Sequence, residues 1–265
     1  MGSSAWNRFV SALMPLIIIG AVVIVWSLAV RMFRIPAYLL PSPEDIVGRI
    51  ISDWRTLAQG TGYTLLSVVL GFALSVLVGI PIALMIVLNR ASERVLMPIV
   101  VMSQTIPKVA IAPILIIWLG FGLLPKIAIT FLITFFPIVV STAVGLKSVE
   151  LDMLDLVRSM GASRLKLVLR VRMPHALPNI FAGLKIAICL AVVGAIVGEF
   201  VGSDDGLGYL LLTSAGSLDG PLTWAALVIL VAMGVILFSI IGAIERLVIP
   251  WHVSVRTDEI AVFQH

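Results

Sequence analysis

Six stretches of this chain are each apolar enough to cross a bilayer, and that repetition restricts the fold more than any motif does. A hydrocarbon core about 30 Å thick needs about 20 apolar residues in a helix rising about 1.5 Å per residue. The stretches run approximately Leu13 to Val30, Tyr63 to Leu88, Val95 to Leu119, Pro125 to Leu146, Ile180 to Val201 and Leu222 to Val248. Backbone polar groups in lipid must be satisfied internally, so such spans fold as helices. The expected fold class is all-α, a polytopic membrane protein with a single transmembrane domain over residues 1–265.

Composition removes the soluble alternative. Hydrophobic residues make up 60% and charged residues 12%, with a mean hydropathy of +1.16. An average globular chain carries roughly 25% charged residues, enough to cover a water-facing surface; this chain does not. The formal charge of +4 forms no basic stripe, which removes nucleic acid as a partner. Cys189 is the single cysteine and lies in an apolar run, so disulfides and Cys-based metal sites within the chain are excluded. No phosphate-binding G-x-x-x-x-G-K-[ST] loop and no nucleophile–base–orienter constellation occurs, and the chain is expected not to be an enzyme. The first apolar stretch follows Arg8 but is long, ends in Arg31-Met32-Phe33-Arg34 and lacks a small-residue cleavage site. It reads as a retained anchor.

The positions of Lys and Arg set the orientation. With the N-terminus inside, the cytosolic segments hold Arg8, Arg90, Arg94, Lys147, Arg158, Arg164, Lys166, Arg170, Arg172, Arg246 and Arg256. The opposite side holds Arg31, Arg34, Arg49, Arg55 and Lys126, fewer than half as many, together with Glu44, Asp45, Asp53, Asp204, Asp205 and Asp219. Both termini are then cytosolic, with external segments over 34–62 and 202–221. In the first of these, Ser42 can cap a helix that begins at Pro43, and Glu44 and Asp45 complement its positive end. Ile46, Val47, Ile50, Ile51 and Trp54 then share one side, which suits either a helix in the membrane interface or a connector packed on the bundle.

The densest run of charge lies between Leu151 and Pro178, inside the loop 147–179, and must be in water. Met153, Leu156, Val157 and Met160 recur at i, i+3, i+4, i+7, while Asp152, Asp155, Arg158 and Ser159 fill the rest of the circumference. A short amphipathic helix is expected, ended by Gly161 in the left-handed conformation. A second is expected over Arg164 to Arg172, capped by Ser163 and ended by Met173-Pro174, with Pro178 marking entry to the fifth span. Two short helices hinged at a glycine make a knob on the cytosolic face.

This loop resembles the signature of bacterial ABC-importer permeases, written Glu-Ala-Ala, three residues, Gly, nine residues, Ile-x-Leu-Pro. Gly161 and Pro174 match at the correct spacing; Asp155 stands for Glu, Leu156 and Val157 for the two Ala, Val171 for Ile and Met173 for Leu. With Leu40-Pro41-Ser42-Pro43, Trp118-Leu119-Gly120-Phe121-Gly122 and Asp205-Gly206-Leu207-Gly208-Tyr209-Leu210, the chain is similar to the nitrate, sulfonate and taurine permease family, which includes pyrimidine-precursor and aromatic-acid transporters. The resemblance implies the type I ABC importer permease fold and a homodimeric pore driven by two cytosolic ATP-binding-cassette ATPase subunits. It also implies a periplasmic or lipid-anchored binding protein that delivers substrate. No cofactor is expected on this chain, ATP and Mg being held by the ATPase partners. Asp155, Leu156, Val157, Arg158, Met160, Gly161, Ala162, Ser163 and Pro174 are the ATPase-coupling residues so implied.

Polar residues within the spans are the other functional candidates. A charge at the bilayer centre costs about 3 kcal/mol on insertion scales, so Lys108, in Gln104-Thr105-Ile106-Pro107-Lys108, must face protein or water. Pro107 and Pro113 remove backbone donors there, and a broken helix lining a cavity is expected. Gln104, Lys108 and Glu199 are the candidates for the translocation path, with a structural ion pair or a hydrogen-bonded buried lysine for Lys108 and a snorkelling or capping carboxylate for Glu199 as the competing readings. Gly194, Gly198 and Gly202 form a small-residue ladder suited to close packing or to a gating pivot. An ion channel or secondary transporter without an ATPase, coupled through Lys108 and Glu199, and a scaffold that transports nothing stay open as alternatives; the knob argues against both.

Overall fold

The computed structural model describes residues 3–250, and among them every regular element is a helix. The helices are α1 (Ser3–Met32), α2 (Pro43–Ser52), α3 (Trp54–Leu88), α4 (Arg90–Ser103), α5 (Lys108–Leu119), α6 (Leu123–Lys147), α7 (Leu151–Ser159), α8 (Arg164–Leu167), a π-helical turn (Val168–Arg172), α9 (Met173–Gly202), α10 (Leu207–Gly216) and α11 (Gly220–Val248). Arg256, counted above on the cytosolic side, lies outside the described residues.

Among the described residues, α3, α6, the continuous helix Leu165–Gly202 and α11 are each long and apolar enough to cross a membrane unaided. The third span is broken, as Pro107 led one to expect: α4 and α5 meet at 92° across residues 104–107. Pro107 has no N–H to donate and biases Ile106 away from the helical region, so the helix cannot run through. The apolar part of α1 is the shorter Ile17–Met32. The six expected spans correspond to four unbroken helices, one broken pair and the first helix.

The second expected break does not occur. Pro174 was expected to end a helix, yet α8, the π turn and α9 follow one another without interruption. The Met173 N–H donates to the Val168 carbonyl five residues back. That wider turn absorbs the proline, whose ring would otherwise crowd the carbonyl four residues earlier. Pro178 likewise sits inside α9.

Packing centres on α6, which lies between α3 and α9. Small residues permit the approach: a Cβ added at Gly194 would stand 2.8 Å from Thr130 Cα, and one at Gly198 3.0 Å from Lys126 Cα. This gives the glycine ladder its packing role. Ser75 Oγ and Thr134 Oγ1 lie 2.6 Å apart between α3 and α6, and Ser75 also donates to the Phe131 carbonyl at 3.1 Å. At the outer end, Ser42 and Asp45 form the reciprocal capping box that opens α2. Ile46 and Ile50 pack against the α9–α11 core while Val47, Ile51 and Trp54 stay exposed, so α2 has both a bundle face and a membrane-interface face. The Arg49 guanidinium reaches Asp219 at 2.5 Å and ties α2 to the start of α11.

Candidate docking surface and translocation path

The charged loop folds as the expected short helix, and its residues divide by depth. Leu154 is 2% exposed and packs with Val149 and Leu167, with Val157 and Val171 against them. The periodic stripe named from the sequence is thus split. Val157 turns inward with Leu154, while Met153, Leu156 and Met160 face outward, the last two 62% and 78% exposed. Exposed large apolar side chains on a water-facing helix cost solvation unless a partner covers them.

Gly161 ends α7 with φ +79, where a Cβ would meet nothing but where an L side chain is strained. The Ala162 N–H donates to the Val157 carbonyl at 3.4 Å and the Gly161 N–H to the Arg158 carbonyl at 2.9 Å, the paired bonds of a Schellman end. Ser163 then opens α8: its Oγ accepts from the Lys166 N–H at 3.4 Å and its carbonyl from the Leu167 N–H at 3.0 Å. Asp155 and Arg158 pair on the exposed face at 2.8 Å. Exposed pairs of this kind contribute about 0–1 kcal/mol, so Asp155 is free to serve a contact rather than the helix.

Gln104 and Lys108 sit at the α4–α5 break. The Lys108 ammonium donates to the Gln104 carbonyl at 3.0 Å and lies 5.1 Å from the centroid of the Phe136 ring. Among the described residues no carboxylate pairs with it, so the ion-pair reading of Lys108 has no partner. Around the break Val101, Met102, Ile106 and Val109 are exposed, an apolar surface with a polar notch in it.

Glu199 is 1% exposed and does not line an open path in this conformation. Its carboxylate accepts from Thr64 Oγ1 at 2.8 Å and from the Gly208 N–H at 2.7 Å, while Thr64 Oγ1 accepts from the Leu207 N–H at 2.8 Å. Glu199 therefore caps the first turn of α10 and binds it to α3, where carboxylate and helix dipole agree. Of the two readings of Glu199, the capping carboxylate has its hydrogen-bond partners in this conformation. Lys126, counted above on the external side at the start of the fourth span, is buried beside it and donates to the Asp205 carbonyl at 3.2 Å.

Sequence reasoning missed one intramembrane pair. Lys185 of α9 forms an ion pair with Glu245 of α11, and its ammonium lies 5.9 Å from the centroid of the Phe238 ring. Opposite charges recurring in two apolar spans were the available signal.

Residues 75–250 match the family described as the binding-protein-dependent transport system inner membrane component. The chain is 40% identical over 246 residues to the formylaminopyrimidine transport permease protein ThiX of Halalkalibacterium halodurans, covering 92% of this chain and 98% of that one. It is 26% identical over 238 residues to the taurine transport system permease protein TauC of Escherichia coli, covering 87% and 86%. In structure it is similar to an inward-facing form of the MetNI methionine ABC transporter, with a TM-score of 0.66 and 22% identity over 74% of this chain and 97% of that one.

Proposed function

The chain belongs to the family of binding-protein-dependent inner-membrane transport components, as a multi-pass permease subunit of an ABC importer, and from that premise we propose how its parts divide the work. The outward face of α7, carrying Met153, Leu156 and Met160, seats in a cleft of a cytosolic ATP-binding-cassette ATPase. Its exposed apolar side chains on an otherwise charged helix carry this reading. Arg158, Gly161, Ala162 and Ser163 hold the geometry of that face, Asp155 contacts the ATPase, Val157 anchors the face, and Pro174 lies in the first turn of α9, within the continuous helix that leads from it into the membrane.

Two copies of the chain form the pore around a twofold axis, each engaging one ATPase, which holds the ATP and Mg. A periplasmic or lipid-anchored binding protein delivers the substrate at the α2–α10 end, and the chain's termini lie in the cytosol. The knob loop 147–179 and the external segments 34–62 and 202–221 act within one transmembrane domain. Native mass spectrometry of the purified assembly is expected to find two permeases and two ATPases; one permease per ATPase pair would sink this architecture.

The substrate is a small heteroaromatic solute of the pyrimidine type. The greater identity to a permease named for formylaminopyrimidine than to one named for taurine supports this. Uptake driven by the cognate binding protein is expected to be competed by aminopyrimidines and not by taurine, and the reverse order would remove the assignment.

Gln104 and Lys108 present polar groups to the path at the α4–α5 break. Since no carboxylate among the described residues pairs with Lys108, Lys108→Met should leave the melting temperature within a few degrees of the parent and lower uptake by about tenfold, the scale of one lost charge-assisted hydrogen bond. Unchanged uptake with a lowered melting temperature would make Lys108 structural instead.

A further inference from the structure

At the same end of the bundle as α7, a cavity of about 880 Å³ opens between the last turn of α3, the start of α4, the end of α6, the knob and the π turn. Its polar lining is Asn89, Glu93, Lys147, Arg158 and Arg172. The charges do not cancel. Glu93 is occupied by Lys147 at 2.6 Å, and Arg158 is met only from outside the cavity, by Asp155. Arg172 has no carboxylate within ion-pair distance among the described residues and its Nε is buried without a hydrogen-bond partner; it feels the like charge of Arg158 and, more weakly, the opposite charge of Glu93. A buried guanidinium donor left unsatisfied beside a second cation is an arrangement that a bound anion relieves.

The depth of the cavity indicates which anion. α3 ends at Leu88 and α6 at Lys147, so the cavity stands where the spans leave the hydrocarbon. Leu88 belongs to its lining beside the cations, giving an apolar wall next to a basic one. Basic pockets between membrane helices on the cytosolic side take the headgroups of anionic lipids. We infer that this pocket binds the phosphodiester headgroup of an anionic phospholipid of the cytosolic leaflet, held by Arg172 and Arg158. The lipid bridges the knob, through Arg158, to the foot of the long helix, through Arg172, and fixes α7 relative to the spans. The inference rests on the cytosolic placement of the knob, but not on what docks there.

The test uses the purified permease–ATPase assembly, with lipid retention read by native mass spectrometry and melting temperature titrated with phosphatidylglycerol, phosphatidylcholine or inorganic phosphate. Phosphatidylglycerol should be retained and stabilise, phosphatidylcholine should not, and Arg172→Gln should weaken phosphatidylglycerol binding by about tenfold or more. Arg170→Gln removes the same charge from an exposed neighbour outside the pocket and should leave binding unchanged. Equal loss in both variants, or equal retention of the two lipids, would overturn the site. Saturation by inorganic phosphate with no preference for phosphatidylglycerol would overturn the lipid assignment. Should Arg172→Gln fail to fold, a photoreactive phosphatidylglycerol on the unmodified chain should label Leu88; labels confined to lipid-facing spans would refute the pocket. None of these readouts requires ATP turnover, so loss of coupling at α7 and loss of lipid binding are told apart.

Discussion

Leu156→Asp is expected to lower substrate-stimulated ATP hydrolysis and uptake in proteoliposomes by about 100-fold, with the permease still inserted and dimeric. Leu156 is exposed on α7 and supports no internal packing, so the substitution leaves the fold intact. At the centre of an interface it buries a carboxylate, and losses at such central positions run from about 2 to 4 kcal/mol, or about 30- to 1,000-fold. Gly161→Pro should act as strongly by a different route, because proline is fixed near φ −65° and cannot adopt the φ of +79 that ends α7. Val157→Asp serves as the contrast. Its side chain packs inward with Leu154, so it should lower folded yield as well as activity. Full coupling by Leu156→Asp would remove the outward face of α7 from the mechanism.

Lys185→Met should cost the fold about 3–5 kcal/mol, since it leaves Glu245 charged and without its partner between α9 and α11. Glu245→Met should cost a similar amount by stranding Lys185. The double variant, which replaces the pair by two apolar side chains, should recover most of the loss, as buried pairs often exchange for hydrophobic contacts at little net cost. Thermal unfolding in detergent across the four proteins gives the coupling energy. Additive losses, with the double variant the least stable, would show that the two residues act separately.

What the sequence revealed here follows the range of the interactions involved. The helix cap at Ser42 and the Gly161 turn depend on residues within a few positions of one another, and they fold as read. The α4–α5 break was also local, written in Pro107, although its 92° angle was not. Pro174 misled because a proline's effect depends on whether the preceding turn can widen, and the π turn supplied that room. Longer-range relations were out of reach. Glu199 finds Thr64 on another helix, Lys185 finds Glu245 across the bundle, and Val157 turns inward because Leu154 and Leu167 define an inside that periodicity alone could not locate.

The unbroken run from Leu165 to Gly202 is 38 residues, about 57 Å at 1.5 Å per residue, and it joins the knob at one end to the Glu199 cap of α10 at the other. Between those ends Gly183 and Gly194 hold it tightly against α6. A stiff rod clasped at its middle behaves as a seesaw. When its foot is drawn one way by whatever holds the knob, its head, with α10 attached, swings the other. In the proposed importer this coupling would keep the inner and outer mouths of the pore from opening together, through the continuity of one helix.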